Sequence, residues 1–185
     1  MDPRFLRGRA AVWLDTAGVP NSADQRAWKN PGEAEVIRRL LAELEPEPAA
    51  GDDGFALLTP YNEQNDLLRS VDLPAWASSR IDTTDGFQGR EADIVVVSLV
   101  RSVQRSPDRP EANIGHLVSP NRVNVLLSRA RTLLVVVGRF EHFVQQPRCA
   151  PDRADIAFWR SVTDTFREQD AVIDAATVLG RGGAW

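Results

Sequence analysis

The 185-residue chain is nearly devoid of two reactive residue types, with one cysteine, Cys149, and one lysine, Lys29. A single cysteine excludes an internal disulfide and fits a reducing compartment, so we expect a cytoplasmic location. Cys149 and the two histidines, His116 and His142, lack metal-ligand spacing, and we expect no metal site. No apolar run approaches the roughly 20 residues that span a bilayer. The basic start has no apolar stretch behind it, so we expect neither a signal peptide nor a membrane partner.

The scarcity of lysine also excludes a P-loop within the sequence. A Walker A loop needs Gly-Lys-Ser/Thr, and Lys29 follows Trp28. A net charge of -4 and a pI of about 5.3 mean that no basic field covers the whole chain. The remaining cations are all arginine, whose rigid fork suits phosphates, although codon bias in a GC-rich genome explains that ratio without any function.

The apolar residues form short runs that predict strands. They cover residues 11–14, 55–58, 94–100 and 133–137, with weaker candidates at 80–83 and 172–174. The runs at 94–100 and 133–137 are nearly continuous, which is typical of strands covered on both faces. A hydrophobic content of 43% and a charged content of 26% are ordinary for a globular protein, and the length suits one domain over residues 1–185.

Helical patterns alternate with these runs. Asn30 as N-cap, Pro31 at the first position and Glu33 three residues after the cap predict a helix start. Further helices are predicted over residues 62–71, 121–131 and 155–168, and polar surface loops over 46–54 and 102–113. The alternation predicts an α/β fold with a parallel sheet. Ligands of such sheets bind beyond the carboxyl ends of the strands, so we expect the chemistry directly after each strand.

The segment Thr-Pro-Tyr-Asn-Glu-Gln at residues 59–64 follows one predicted strand. Pro60 ends the strand sharply because it biases Thr59 toward an extended conformation. The Thr59 hydroxyl, which we expect to be exposed, is suited to holding a phosphate. A plain strand-to-helix turn is the more ordinary explanation of this segment taken alone.

Residues 83–93 precede the strongest strand and hold two glycines, three acidic residues and an arginine. Glycine permits close backbone approach to a ligand, and this density of functional groups favours a binding role over a structural loop. The predicted helix 121–131 has one apolar face and two polar stripes. The apolar face is Val123, Leu126, Leu127 and Ala130; the stripes are Asn121, Asn124, Ser128 and Arg131, and Arg122, Val125 and Arg129. The helix would hold its arginines rigidly beside the sheet, although a solvated face explains any single charge.

Together these segments resemble helicase motifs IV (59–64), V (83–91) and VI (121–131). Their order and spacing are similar to the C-terminal motor domain, domain 2A, of superfamily 1B helicases of the nonsense-mediated-decay and Dna2-type group. The resemblance implies a RecA-like three-layer αβα domain with a mostly parallel central sheet. It also implies that ATP and Mg²⁺ are held mainly by a P-loop RecA-like domain of the same protein or complex. The chain would then be a fragment or a subunit, inactive as an ATPase by itself.

The resemblance also implies roles for matched positions. Arg129 corresponds to the arginine finger that stabilises charge during phosphoryl transfer. The implied nucleotide-binding residues are Gln64, Gly89, Arg90, Glu91 and Arg129. The implied contacts to single-stranded DNA or RNA are Thr59, Pro60, Tyr61, Thr84, Asp85, Arg101 and Asn124. Asn65 departs from the arginine that some relatives carry there, which removes a second γ-phosphate contact, and Ser128 replaces a common threonine.

Two other interpretations stay open. The first is a non-catalytic helicase-like module that binds single-stranded nucleic acid or a protein partner. The second is a generic α/β nucleotide-binding domain, which the lack of a glycine-rich phosphate loop disfavours. The five tryptophans are expected to fill the core or cap edges. They are Trp13, Trp28, Trp76, Trp159 and Trp185. Trp76, in a predicted loop, is the candidate for stacking on a base.

Overall fold

A six-stranded sheet forms the centre of the fold in a computed structural model that describes Leu6, residues 8–44 and residues 54–180. The strands are β1 (Ala11–Asp15), β2 (Phe55–Thr59), β3 (Ile81–Thr83), β4 (Ala92–Ser98), β5 (Ala130–Gly138) and β6 (Val172–Asp174). Their order is β3-β2-β4-β5-β1-β6, and every pairing is parallel. All six predicted strands are present, and the two weak candidates are the edge strands.

Eight α-helices lie between and after the strands in the described part of the chain. They are α1 (Pro31–Glu43), α2 (Asn62–Ser70), α3 (Ala75–Ser78), α4 (Pro110–Ile114), α5 (Pro120–Leu127), α6 (Phe140–Cys149), α7 (Ala154–Glu168) and α8 (Ala176–Leu179). The four predicted helices correspond to α1, α2, α5 and α7. Three of the others span four or five residues, too few for a hydrophobic period to show. None of the described helices is long and apolar enough to cross a membrane.

Side chains of the inner strands alternate between two apolar layers, as the pleat requires. Val12 and Leu14 of β1 pack in the layer that holds α1, α2, α3 and α8. Trp13 points to the opposite layer, against α6 and α7. There its ring meets Phe140 at 5.1 Å and Phe166 at 5.4 Å, both edge-on, in the arrangement that aromatic quadrupoles favour. Helices on both faces of a parallel sheet confirm the α/β RecA-like prediction.

Several predicted boundaries were wrong, including the end of β4, the end of α5 and the start of β5, which was predicted at residue 133. β4 ends at Ser98 rather than at residue 100, because Val100 has a left-handed φ of 70° that no strand accommodates. Helix α5 ends at Leu127, so Arg129 does not lie on it. The cause is non-local: Ala130 already pairs with Ala92 of β4, so β5 must begin there.

The two predicted surface loops have different outcomes. The loop at 102–113 is only partly one, because Ser102 is buried and α4 begins at Pro110. The loop at 46–54 lies outside the described residues except for Gly54.

Candidate nucleotide and nucleic-acid sites

Motif V and α5 cross the same face of the sheet side by side. Residues 84–91 of motif V lead from the carboxyl end of β3 to the amino end of β4. Helix α5 runs in the same direction toward β5. They meet at both ends. An Arg122 nitrogen lies 3.5 Å from the Asp85 carboxylate, and the Ala92 amide donates to the Arg129 carbonyl at 3.0 Å. The predicted site residues are therefore divided between two edges of the sheet.

That division corrects the expectation that all the predicted site residues lie directly after the carboxyl ends of the strands. Thr59 and Thr84 do lie at the carboxyl edge, directly after β2 and β3. Gly89 and Glu91 precede β4, and Arg129 precedes β5, so these three lie at the amino edge. The physical reason is that motif V is itself the crossing between two parallel strands, and its second half must return to the start of β4.

A polar cavity of about 230 Å³ opens at the carboxyl edge. Its lining is Pro60, Asn62, Thr83, Thr84, Asp85, His116 and Arg122. Arg122 donates to Nδ1 of His116 at 2.8 Å, so that ring nitrogen carries no proton. Burial, together with the charge of Arg122, holds the pKa of His116 below its ordinary value. The cavity thus offers an arginine, a neutral imidazole and threonine hydroxyls, which are groups that hydrogen-bond phosphate and sugar oxygens.

Two threonine hydroxyls at this edge lack hydrogen-bond partners. Thr59 is completely buried, which corrects the expectation that its hydroxyl is exposed. Thr84 is also buried, and its amide donates to the Thr59 carbonyl at 3.1 Å. Among the described residues, no group pairs with either hydroxyl oxygen. Buried polar atoms are normally satisfied, so these hydroxyls are two neighbouring exceptions, and Thr84 is the one of the two that lines the cavity.

Gln64, which the resemblance assigns to the nucleotide, is buried in a network that joins three elements. Its Oε1 accepts from the Asn30 amide at 2.8 Å, and its Nε2 donates to the Ser98 hydroxyl at 2.9 Å. Ser98 in turn donates to Glu33 at 2.7 Å. The predicted N-cap is confirmed, since Asn30 Oδ1 accepts from the Glu33 amide at 3.1 Å. Gln64 takes the place at the Asn30 amide that Glu33 would fill in a standard capping box.

Glu33 is freed by that exchange to bind the segment after β4. Its Oε2 accepts from the Val100 amide at 2.9 Å, and Asn30 donates to the Val100 carbonyl at 2.9 Å. These two bonds hold Val100, a β-branched residue, at its left-handed φ of 70°. Burial raises the pKa of Glu33 to about 8, against the opposing effect of the bonds from Ser98 and Val100.

The turn at Val100 directs Arg101 into the protein, so Arg101 is buried in this structure and its contact with nucleic acid stays a prediction. The residue is 1% exposed, and its guanidinium donates to the carbonyls of Asn113, at 2.8 Å, and Ala112. The carboxylate of Asp24 lies 3.5 Å away. Burial lowers the pKa of Arg101. Arg101 ties the segment after β4 to α4 and to the segment after β1.

Tyr61 is also buried, at 4% exposure, and its hydroxyl donates to the Ile114 carbonyl at 3.3 Å. Burial raises its pKa. Asn124 is exposed on α5, as a contact to nucleic acid requires. Pro60 and Asp85 line the carboxyl-edge cavity. Of the seven residues that the resemblance assigns to nucleic acid, the structure thus leaves Pro60, Asp85 and Asn124 accessible and buries the others.

At the amino edge the predicted residues are more accessible. Arg129 is half-buried, and its Nε has no hydrogen-bond partner among the described residues. Arg131, two residues further, donates to Asp93 at 2.9 Å. Gly89 has a φ of 82°, which favours glycine, and a Cβ there would meet no atom within 4 Å. Glu91 is exposed beside it.

Arg90 is the exception at this edge, because it already has partners. One of its guanidinium nitrogens lies 3.6 Å from Asp82, and the group sits 4.8 Å above the Phe87 ring. A nucleotide contact would have to compete with both.

Sequence reasoning overlooked Asp24 and misplaced two tryptophans. Asp24 is buried and accepts from the amides of Ser102, at 3.0 Å, and Val103, at 2.8 Å. It lies in a segment without periodicity, and its partners are almost 80 residues away, so no local signal could have found it. Trp76 lies in α3, edge-on to Phe55 at 5.0 Å, and not in a loop. Trp13 and Trp159 are buried as expected, Trp28 is exposed, and Trp185 lies outside the described residues.

A parallel sheet covered on both faces, with the segments that resemble motifs IV, V and VI at its edges, defines a RecA-like domain. The AAA domain family matches residues 4–141. The chain belongs to that family and, within it, to the superfamily 1B helicases of the nonsense-mediated-decay and Dna2-type group.

Three relatives illustrate the similarity. DNA polymerase alpha-associated DNA helicase A of Saccharomyces cerevisiae is 33% identical over 142 residues, which is 70% of this chain and 19% of that protein. DNA-binding protein SMUBP-2 of Rattus norvegicus is 33% identical over 171 residues, 90% of this chain and 16% of that protein. DNA replication ATP-dependent helicase/nuclease JHS1 of Arabidopsis thaliana is 35% identical over 133 residues, which is 70% of this chain and 10% of that protein. The chain therefore spans less than a fifth of each relative.

The helicase family uses ATP and Mg²⁺, and the residues fit these two ligands unequally. The Arg129 side chain is half-buried and keeps surface for an incoming phosphate oxygen, while its Nε is buried without a partner among the described residues. No three His, Cys, Asp or Glu side chains of the described residues converge as metal ligands do. His142 is enclosed, with Nε2 at 3.4 Å from the Asn113 carbonyl, and burial lowers its pKa to about 4.

Proposed function

We propose that residues 1–185 form the second motor domain of an ATP-dependent nucleic-acid helicase or translocase. In this proposal, Arg129 is the arginine finger, and Gly89 and Glu91 border the nucleotide. The P-loop and the ligands of Mg²⁺ come from another RecA-like domain of the same protein or complex. A cytoplasmic location stays a prediction.

The observation that carries the proposal is the state of Arg129. An arginine nitrogen buried without an acceptor is costly unless a partner arrives from outside the domain. ATP would supply the phosphoanhydride bond whose hydrolysis drives the motor. The fixed positive charge of Arg129 would stabilise the negative charge that spreads over the transferred phosphoryl oxygens. The hydrogen bond from the Ala92 amide to the Arg129 carbonyl supports this role, because it holds the Arg129 backbone beside the end of the segment that contains Gly89 and Glu91.

The carboxyl edge supports the nucleic-acid half of the proposal. The cavity between Thr84 and Arg122 offers hydrogen-bond groups for phosphate and sugar, and the Thr59 hydroxyl lies unpartnered behind it. Contacts of this kind carry no sequence information, which suits a motor that moves along single-stranded DNA or RNA. Motif V and α5 touch both edges, so a shift at Arg129 would be transmitted to Asp85 and Arg122 through two parallel segments.

The test compares two arginines in a protein that carries this chain together with a P-loop domain. Arg129→Ala should reduce kcat for ATP hydrolysis by roughly 10³- to 10⁵-fold, the range known for arginine fingers. Arg131→Ala is the matched control, since Arg131 lies two residues away and pairs with Asp93. It should leave kcat nearly unchanged.

A small effect of Arg129→Ala in a folded protein would favour the non-catalytic module that binds nucleic acid or a protein partner. The 185-residue chain alone should show no ATPase activity, because its sequence has no Gly-Lys-Ser/Thr. Robust turnover by the pure chain would contradict the need for a second domain.

A further inference from the structure

Trp28 is the exposed large hydrophobic side chain among the described residues, at 37% exposure. It lies between β1 and α1, at the carboxyl edge of the sheet. Leaving indole surface in water forfeits the complete burial that Trp13 and Trp159 obtain. An exposed aromatic ring of this kind is therefore a candidate contact surface.

The ring is held rigidly from behind. Trp28 and the preceding Ala27 both have left-handed φ angles, 52° and 66°, in a turn closed by the Gln25 amide donating to the Lys29 carbonyl at 2.9 Å. The Arg101 guanidinium lies 4.0 Å from the indole centroid. A ring that is fixed before a ligand arrives loses little conformational freedom on binding.

A second arginine supports the ring from the same region. The Arg105 guanidinium lies 5.1 Å from the indole centroid. Arg101 and Arg105 both contact the same Asp24 oxygen, at 3.5 and 2.7 Å. This shared carboxylate gathers the two cations beside the indole, which still keeps 37% of its surface exposed.

Trp28 also continues a row of rings toward the carboxyl-edge cavity. Its centroid lies 6.2 Å from that of Tyr61, with a tilt of 34°, and Tyr61 lies 5.4 Å from His116. His116 lines the cavity with Thr84 and Arg122. Tyr61 is buried in this row, whereas Trp28 at one end and His116 at the other are exposed.

The geometry points to Trp28 as a stacking platform for a nucleobase at the carboxyl edge. This inference rests on the proposed function and adds to it a base contact beside the backbone contacts of the cavity. Stacking suits a motor because every base has a π face, so the contact tolerates any sequence. The base belongs to a nucleic-acid strand or to a free nucleotide, and the two sources share the same stacking chemistry.

The test measures how much the bases contribute to binding. The 185-residue chain is titrated with a labelled oligothymidylate and with an abasic oligomer of the same length at one salt concentration. The unmodified chain should bind the base-containing strand roughly tenfold or more tightly. Trp28→Leu should remove most of that preference and leave the abasic affinity unchanged, whereas Trp28→Phe should retain much of it. Trp76→Leu is the control at a tryptophan packed on Phe55, and should keep the preference.

A second arm identifies the source of the base. AMP and ribose 5-phosphate are compared by the change in tryptophan fluorescence, again with Trp28→Leu. If Trp28 is needed only for the tighter binding of the base-containing oligomer over the abasic one, the platform binds a strand. If Trp28 is needed only for the tighter binding of AMP over ribose 5-phosphate, the platform binds a free nucleotide. Equal binding of base-containing and abasic ligands by the unmodified chain, absence of binding to both kinds, or a preference that survives Trp28→Leu would overturn the inference. If Arg129→Ala still reduces kcat for ATP hydrolysis as expected, any of these results would leave the proposed function intact.

Discussion

At the carboxyl edge of the sheet, Gln64, Glu33 and Arg101 are buried and bonded to one another's segments. At the amino edge, Glu91 is exposed and Arg129 keeps a nitrogen without a partner among the described residues. The difference teaches that a polar residue in a recognisable motif can serve the fold at one edge and await a ligand at the other.

The polar residues of the carboxyl edge bond to other parts of the protein because this edge joins three separate segments. The segments after β1, β2 and β4 must be held together there without a regular secondary structure between them. Asp24, Asn30 and Glu33 do this by accepting or donating bonds across more than 60 residues of sequence. What remains for a ligand is the cavity beside Thr84 and the outer surface of Trp28.

The largest expected effect on stability is at Asp24. Asp24→Ala leaves the buried Arg101 without its carboxylate and strips the Ser102 and Val103 amides of an acceptor. Breaking a buried pair of this kind costs about 3 to 5 kcal/mol of unfolding free energy. Chemical denaturation measures it.

The matched control is Asp170→Ala, because the Asp170 side chain is 99% exposed and lies 3.8 Å from Arg9. Its cost should stay below about 1 kcal/mol. Equal costs at Asp24 and Asp170 would remove the contrast between a structural carboxyl edge and the rest of the surface.

A pH-dependent effect is expected at Glu33. Its folded-state pKa of about 8 lies above the ordinary 4.5, so the folded state retains this proton longer than the unfolded state. The resulting stabilisation is fully present below about pH 4.5 and is lost as the pH rises through 8. Between pH 5 and pH 8 the loss amounts to about 3 kcal/mol.

Thermal or chemical unfolding across this pH range tests the assignment. Glu33→Gln cannot titrate, so its stability relative to the unmodified chain should increase steadily from pH 5 to pH 8. A constant difference between the two proteins would show that the Glu33 carboxyl does not hold its proton in the folded state.

A smaller effect is expected at the amino edge, at Gly89. A Cβ at this position meets no atom within 4 Å, so Gly89→Ala costs only the strain of a φ of 82°, about 1 kcal/mol. Gly180→Ala is the control, since Gly180 has no positive φ and equally open space. It should be neutral or slightly stabilising. A much larger loss at Gly89 would mean that the amino edge is as tightly packed as the carboxyl edge.

Sequence alone predicted the sheet well, because buried parallel strands such as β4 and β5 read as continuous apolar runs. It also located the N-cap at Asn30, where the signal is local. It misplaced Arg129 on a helix, because the start of β5 depends on pairing with Ala92, which is remote in sequence. It could not predict that Arg101 is buried, because that burial depends on Asp24 and on the turn at Val100.

The proposal that the amino edge serves ATP hydrolysis and the carboxyl edge serves strand binding is the two-edge account. Its most direct test compares Arg129 with Arg122 in a protein that also carries a P-loop domain. The two arginines lie at opposite ends of the same α5–β5 unit, seven positions apart. Strand affinity and kcat at a saturating strand concentration are measured for both alanine variants. The account predicts that Arg129→Ala abolishes turnover and keeps strand affinity, whereas Arg122→Ala weakens strand affinity and keeps turnover. Loss of strand affinity in Arg129→Ala as large as in Arg122→Ala, or turnover that survives Arg129→Ala, would contradict it.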